Sequence, residues 1–308
     1  MSVTLPNPSS ALNGGATLAN RDLLSWKAGL ADTEPAQGFW SAAFVQETLA
    51  MTRRLFIQLQ RRPSTLVAGI IQPLIWLVLF GALFQNVPAG LFGESSNYGQ
   101  FLGAGIIVFT AFGGALNAGL PVMFDREFGF LNRFLVAPLA SRYSIVVASA
   151  IFISVLSLIQ TAAILALSAA LGAGLPNGPG LLLVLFIVAI LVLGVTALSL
   201  GLTFALPGHI ELIAVIFVAN LPLLFSSTAL VPLDFMPHWL QLVASLNPLT
   251  YAIEPIRYVY LHPDWNLSSI VLQAPFAAIP LGLAVGILVA FCLVALALIQ
   301  PLLRRRMA

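Results

Sequence analysis

The amino-acid sequence predicts an all-α polytopic membrane protein. Its 308 residues are 59% apolar and only 8% charged, whereas a typical soluble protein has about 25% charged residues. The 68 residues between Arg142 and Glu211 include no Asp, Glu, Lys or Arg at all. A water-exposed surface needs polar groups, and disordered chains are poor in apolar residues. These numbers therefore exclude both a soluble globular protein and a disordered chain.

The first segment, residues 1–40, mixes Ser, Asn, Gly, Ala and Pro with a few charges and has no sustained periodicity. It lacks the basic start and apolar core of a signal peptide. We therefore expect a flexible cytoplasmic tail.

Helical periodicity begins in residues 41–63. The apolar positions form one broad face of a helix, which consists of Phe44, Val45, Leu49, Phe56 and Leu59. Arginines 53, 54 and 61 remain on the polar side. Because an apolar span follows directly, we predict an amphipathic connecting helix at the cytoplasmic membrane surface. An ordinary amphipathic helix that packs on protein is the alternative.

Six membrane spans are predicted within residues 64–306. A bilayer core takes about 20 apolar residues per helix, and Gly/Pro-rich turns at residues 172–180 and 207–208 divide the long uncharged run. The predicted spans are residues 66–85, 101–123, 144–171, 181–206, 212–231 and 271–303. The last is longer than necessary, so it should tilt or extend past the bilayer.

The basic residues predict the orientation of these spans. With the amino terminus inside, 12 of the 13 arginines and lysines are cytoplasmic, and only Arg257 lies outside. Since cytoplasmic loops are rich in basic residues, we expect a multi-pass protein of the plasma (inner) membrane with both termini in the cytoplasm.

Most catalytic motifs are missing from the sequence. The only lysine, Lys27, does not belong to a Gly-rich phosphate-binding loop. His209, His238 and His262 are not at metal-ligand spacing, and the spans contain almost no ionisable groups of the kind that couple transport to ions. Glu211, at a span boundary, is interpreted as an interfacial cap of a helix start. The chain is therefore predicted to be non-catalytic, with its energy source elsewhere.

The loop at residues 125–139 is the most informative segment. Charged residues come first, then Phe128, Leu131 and Leu135 recur at helical spacing, and Pro138 ends the element. Such a short amphipathic helix could lie on lipid headgroups. Alternatively, its bulky apolar side chains could fill a groove on a cytoplasmic partner, whose movement would then push on both attached spans.

Several motifs together resemble the ABC-2 type membrane subunits of ABC transporters, in particular the drug-resistance and lipid exporter permeases. The loop carries Asp125-Arg126-Glu127, Leu131, Arg133-Phe134-Leu135 and Ala137-Pro138-Leu139. Other matches are Arg61-Arg62-Pro63, Gln72-Pro73-Leu74, Asn247-Pro248-Leu249-Thr250-Tyr251 and Arg257. The resemblance covers roughly residues 45–306, and the tail before it is additional.

The resemblance implies a half-transporter, in which two copies of the chain, or one copy and a paralogous permease, surround one pathway. Residues 125–138 would form a coupling helix that docks on a separate ABC ATPase subunit, present in two copies. Its contact residues would be Asp125, Arg126, Glu127, Phe128, Leu131, Arg133 and Leu135. Glu127 and Arg133 would be polar contacts, and Phe128 and Leu131 an apolar plug. ATP and Mg would bind to that partner, with no cofactor on this chain; a plain connecting turn is the alternative.

Residues 232–265 form a proline-rich outer segment. Asn247-Pro248 is typical of a helix N-cap followed by proline at the first helical position. Because non-helical backbone at membrane depth must be shielded, we predict two short re-entrant helices in the outer leaflet, which would cover the pathway exit as the family implies. The predicted outer gate consists of Asn247, Tyr251, Glu254 and Arg257. Glu254 and Arg257 can pair at i,i+3, either in the gate or in a merely structural turn.

The family also implies that spans two and five line the pathway. Its predicted walls are Phe112, Asn117, Phe217, Asn220, Leu224 and Phe225. So few charges suit export of an apolar or amphipathic substrate, drug-like or lipid, with membrane lipids as neighbours and no nucleic-acid partner. A polysaccharide or glycolipid exporter permease is the alternative within the family.

Other classes of protein are less compatible with the sequence. An ion-coupled secondary transporter would need carboxylates inside the spans, and an intramembrane enzyme would need convergent catalytic groups there. A structural scaffold is compatible with the same lack of catalytic groups.

Overall fold

The computed structural model describes residues 42–61, 63–84, 86, 98–129, 143–170 and 175–307. The predicted tail, residues 1–40, lies outside the described residues, as do Leu131, Arg133 and Leu135 of the predicted coupling helix. The described chain is mostly helical.

The helices follow the predicted order. They are α1 (Ala42–Arg61), α2 (Pro63–Leu83), α3 (Tyr98–Leu116), α4 (Gly119–Glu127), α5 (Tyr143–Ala170), α6 (Gly178–Ala205), α7 (His209–Phe225), a 3-10 turn (Leu233–Phe235), α8 (His238–Leu246), α9 (Thr250–Leu261) and α10 (Leu281–Met307). Two strands, β1 (Ile270–Ala274) and β2 (Ala277–Pro280), precede α10.

Four of the described helical segments are long and apolar enough to cross a membrane. They are Phe101–Glu127, Ser144–Ala170, Gly178–Ala205 and Leu281–Leu302. Two shorter apolar helices, Val67–Leu83 and His209–Phe225, correspond to the first and fifth predicted spans. The described helices thus support a polytopic membrane protein, and the six-span count remains a prediction.

The antiparallel hairpin of β1 and β2 corrects two expectations: the described chain is not all-α, and the last apolar helix begins at Leu281 rather than at residue 271. The physical reason lies in the side chains that the hairpin buries. Leu272 and Ile279 pair across it and are 5% and 2% exposed. They pack with Leu233 and Met236, so residues 270–280 lie against α8 and α9 instead of extending α10.

Helix α1 packs against α5 through a narrower face than its apolar pattern predicts. Phe44, Thr48 and Thr52 are its buried residues, whereas Val45 and Leu49 are exposed. The Thr48 and Thr52 hydroxyls donate to main-chain carbonyls four residues earlier, over 2.8 Å each, so their burial leaves no unpaired donor. The exposed Val45 and Leu49 remain available to a membrane surface.

The second predicted span, residues 101–123, is interrupted between α3 and α4. Side chains of α6 form hydrogen bonds with the main-chain groups at this interruption. The Ser199 hydroxyl donates to the Leu116 carbonyl (2.5 Å) and accepts from the Gly119 amide (2.9 Å). The Thr203 hydroxyl donates to the Gly119 carbonyl over 3.1 Å. Main-chain groups left over by the break are therefore satisfied inside the bundle, as burial requires.

Candidate functional site

The contacts define two ends of the helix bundle. At one, the C-terminal turn of α4 meets the end of α6 and the start of α7; we call it the Arg126 end. At the other, the start of α3, the end of α7, α8, α9 and the hairpin come together; we call it the Arg257 end.

Asp125 is the first of three consecutive charged residues at the Arg126 end, and it binds α1. Its carboxylate accepts from Arg54 over 3.3 Å, with the two side chains 29% and 39% exposed. Such partly exposed pairs contribute about 1 kcal/mol or less. Their geometry nevertheless ties α1 to the end of α4.

Arg126 caps the C-terminus of α6. Its guanidinium donates to the main-chain carbonyls of Thr203 (2.5 Å), Leu206 (2.7 Å) and Pro207 (2.6 Å). The last carbonyls of a helix have no intrahelical partner and lie at the negative end of its dipole. An arginine therefore matches this position in both hydrogen bonding and charge.

Glu127 caps the N-terminus of α7. One carboxylate oxygen accepts the His209 amide over 2.7 Å, and the other contacts the His209 ring at Nδ1. The N-cap residue of α7 is Gly208, which has no side chain to perform this role. A Cβ at Gly208 would lie 2.7 Å from the Glu127 carboxylate and 2.9 Å from that of Glu211, so a larger residue here would push these carboxylates away from the start of α7.

The structure places Asp125, Arg126 and Glu127 in the last turn of α4 rather than at the start of a separate helix. Phe128 follows directly, stacks on Phe124 with the ring centroids 6.1 Å apart, and is 69% exposed. The docking role predicted for these residues remains a prediction, because the rest of the segment lies outside the described residues.

Asn247 connects two helices at the Arg257 end. Its amide nitrogen donates to the carbonyls of Leu223 and Ser226, 2.8 Å each, at the end of α7. Its amide oxygen accepts from the Leu249 amide over 3.0 Å. This is the hydrogen bond of the predicted N-cap, made in the turn that leads into α9, whose first residue is Thr250, and the same side chain also caps the end of α7.

Arg257 and Glu254 form the predicted i,i+3 pair, with the nitrogen and oxygen 2.5 Å apart and side chains 8% and 14% exposed. Arg257 also donates to the carbonyls of Phe101 (3.3 Å) and Thr228 (2.7 Å). Its guanidinium carbon lies 3.6 Å from the centroid of the Phe101 ring. Arg257 therefore connects α9 with α3 and with the turn after α7, so the ion pair belongs to a contact between helices and not to a local turn alone.

Tyr251, the remaining residue of the predicted outer gate, joins α9 to α8. Its hydroxyl donates to the Ser245 carbonyl over 2.6 Å. Burial raises the pKa of the Tyr251 hydroxyl above its ordinary value, which keeps it protonated as the donor.

An open cavity of about 520 Å³ lies at the Arg257 end. Such a volume falls in the range of small-molecule pockets. The ionisable side chains in its wall are those of Asp234, Glu254, Arg257, Tyr258 and His262. The Glu254–Arg257 pair therefore borders open space as well as holding the fold together.

The predicted pathway residues do not share one surface within the described chain. Phe112 and Leu224 are 4% and 2% exposed and belong to the apolar core. Phe217 and Phe225 of α7 are 72% and 60% exposed. Asn117 is exposed and donates to the Gly113 carbonyl over 2.7 Å, while Asn220 is half-buried.

The sequence does not predict which residues bind Arg126 and Glu127 at the end of α4. These hydrogen-bond partners are Thr203, Leu206, Pro207 and His209. Two signals in the sequence mark this place: Pro207-Gly208 interrupts an apolar run, and Glu211 follows closely. Neither signal identifies the partners, because they lie about 80 residues from Arg126 and Glu127.

Comparison with known proteins places the chain among membrane transport proteins. A protein of Cyanophora paradoxa named as a transport permease, ycf38, is 54% identical over 271 residues, which cover 88% of this chain and 93% of that protein. Its namesake in Porphyra purpurea is 53% identical over 268 residues, with 87% and 92% covered. More distantly, the permease DrrC of Mycobacterium tuberculosis, named for doxorubicin resistance by an ABC transporter, is 26% identical over 221 residues, with 70% and 76% covered.

The family comparison agrees with the resemblance found in the motifs. The model of the family described as ABC-2 type transporter matches residues 46–261, which include most of α1, the Arg126 end, and α8 and α9 of the Arg257 end. The chain therefore belongs to the ABC-2 type transporter family.

Proposed function

We propose that this chain is the membrane subunit of an ATP-driven exporter, in which two permease chains surround one pathway and two separate ABC ATPase subunits supply the energy. The single observation that carries the proposal is the α4 end. There a helix of the second span finishes in Asp125-Arg126-Glu127, tied to three other helices, and is followed by the exposed Phe128. ATP and Mg belong to the partner subunit.

The arrangement of basic residues supports a cytoplasmic position for the Arg126 end. Arg54 and Arg126 both lie there, whereas Arg257 lies at the opposite end. Cytoplasmic segments of membrane proteins are rich in arginine and lysine. In this orientation both termini are cytoplasmic, and α2 and α7 complete six spans in the plasma (inner) membrane.

The proposed substrate is apolar or amphipathic, such as a lipid or a drug-like molecule. The exposed apolar face of α7, which carries Phe217, Val218 and Phe225, supports this substrate class. DrrC, a distant relative, is named for resistance to doxorubicin. The outer cavity bordered by Glu254 and Arg257 would receive the substrate at the exit.

Co-purification tests the docking site. In the double variant Phe128→Asp and Leu131→Asp, two apolar side chains of the proposed plug become charged, so we expect the permease to lose its ATPase partner. The matched control is Leu267→Asp, which introduces a carboxylate near the Arg257 end at a leucine that is 63% exposed, against 69% for Phe128. An intact complex with unchanged ATP turnover in the double variant would remove the docking assignment.

A second measurement separates the proposed function from an ion-coupled transporter. In reconstituted vesicles, uptake of a fluorescent lipid or drug probe should require ATP and should persist after the ion gradients have been dissipated. Uptake that continues without ATP and collapses with a gradient would contradict the proposal.

A further inference from the structure

The Asp125, Arg126 and Glu127 side chains each bind a different helix. Consecutive residues of an α-helix point about 100° apart, so three in a row fan out around the last turn of α4. Asp125 faces Arg54 of α1, Arg126 the end of α6, and Glu127 the start of α7. We call these three residues the hub.

Two of the three hub residues bind main-chain atoms. Arg126 binds three carbonyls at the end of α6, and Glu127 binds the first amide of α7. Main-chain atoms at a helix end move with the helix axis, whereas a contact to a long side chain can be absorbed by rotamer changes. Displacing the hub therefore displaces α6 and α7 themselves.

The signs of the charges match this arrangement. The positive Arg126 lies at the negative end of the α6 dipole, and the negative Glu127 at the positive end of the α7 dipole. Between the two helices, Pro207 and Gly208 break the chain, so α6 and α7 can turn separately about this point. Only one order of the two charges satisfies both helices.

We propose that Arg126 and Glu127 are positioning residues, which transmit movement of the C-terminal end of α4 to α6 and α7, rather than contacts of the ATPase. The proposal rests on the proposed function, since it presumes a partner that moves this end of α4. It assigns transmission to the hub and leaves docking to the exposed Phe128.

An order-reversed variant, Arg126→Glu with Glu127→Arg, provides the sharpest test. Its composition and net charge equal those of the native chain, but each charge then opposes the helix dipole that it faces. The reporter is the substitution Phe217→Cys in α7, at an exposed position (72%), labelled with a water-soluble maleimide. Cys292 is buried, and Leu267→Cys, at an exposed position (63%) outside the apolar spans, provides the control position.

The measurement is the labelling rate of the reporter thiol at position 217 in the permease–ATPase complex, with and without ATP and vanadate. With the native hub we expect the rate to change several-fold with ATP. With the reversed hub we expect the ATPase to co-purify and to hydrolyse ATP, while the labelling rate no longer depends on ATP. A purely structural role would lower the yield of the complex without abolishing the ATP dependence in the molecules that fold.

The other outcomes separate the transmission role of the hub from a docking role and from the proposed function. An unchanged ATP dependence in the reversed variant would overturn the transmission role and leave the proposed function intact. Loss of ATPase binding in that variant would show that the hub is a docking contact. Absence of an ATPase from the native complex would instead remove the proposed function.

If the variant with Arg126 and Glu127 exchanged does not fold, the milder variants Arg126→Lys and Glu127→Gln test the proposal instead. We expect Arg126→Lys to retain part of the ATP dependence of the labelling rate, because a cation remains at the α6 end, and Glu127→Gln to retain less than the native hub. If neither variant differs from the native hub, the proposal is wrong.

Discussion

Gln160 of α5 donates a hydrogen bond from its side-chain amide to the main-chain carbonyl of Gly69 in α2, over 3.1 Å. Pro73 lies four residues after Gly69 within α2 and has no amide hydrogen, so it leaves that carbonyl without its helical donor. A Cβ at Gly69 would lie 2.7 Å from the Gln160 amide nitrogen, so glycine makes the approach possible. The side chain of Gln160 thus replaces, from another helix, the hydrogen-bond donor that Pro73 lacks.

Gln160→Leu should therefore destabilise the protein, and the cost should depend on Pro73. Hydrogen bonds between membrane helices contribute about 0.6–2 kcal/mol, and we expect a loss of that size in the free energy of unfolding. In a Pro73→Ala background the alanine amide can donate to Gly69, so the same substitution should cost less. Equal costs in the two backgrounds, measured by unfolding in detergent, would contradict this account.

Gly119→Ala and Gly113→Ala should have opposite effects. A Cβ at Gly119 would lie 2.6 Å from the Ser199 carbonyl oxygen, whereas a Cβ at Gly113 meets nothing within 4 Å. We expect overpacking to cost about 1–3 kcal/mol at Gly119. At Gly113 alanine should gain up to ~1 kcal/mol through helix propensity. Thermal unfolding of the two variants measures the difference, and equal midpoints would show that α6 does not pack tightly on the break.

The local features of this chain could be predicted from its sequence. The Glu254–Arg257 pair lies within one helix turn, and the apolar runs define most of the helices. The hairpin is harder to predict, because residues 270–280 are mostly apolar like the start of a span; the signals that mark it are Pro275 in its turn and Pro280 directly before α10. The hub partners lie about 80 residues away, where helix packing alone decides which side chains meet.

Asn247→Asp should be more harmful than Asn247→Ala. Alanine leaves the Leu223 and Ser226 carbonyls unpaired, which costs about 1–3 kcal/mol for a buried group. Aspartate in addition places a carboxylate against these two oxygens in a position that is 4% exposed. Asn117→Asp is the control, because the side chain of this asparagine is exposed and donates to the Gly113 carbonyl, and water can solvate the new charge. Unfolding in detergent should show the largest loss of stability for Asn247→Asp, a smaller loss for Asn247→Ala and the smallest for Asn117→Asp. A milder effect of Asn247→Asp than of Asn247→Ala would contradict the role of the Asn247 side chain as a hydrogen-bond donor.

Arg257→Met should destabilise the protein more than the double variant Arg257→Met with Glu254→Gln. Removing one partner of a buried ion pair costs about 3–5 kcal/mol, largely because the other charge stays behind without compensation. The double variant removes that charge too, although the Phe101 and Thr228 carbonyls still lose the Arg257 donor. Unfolding free energies of the two single variants and the double variant form a double-mutant cycle. If the costs of the single variants simply add, the stability contributed by Glu254 does not depend on Arg257, and α9 is then held to α3 by the bonds from Arg257 to the Phe101 and Thr228 carbonyls without help from the ion pair.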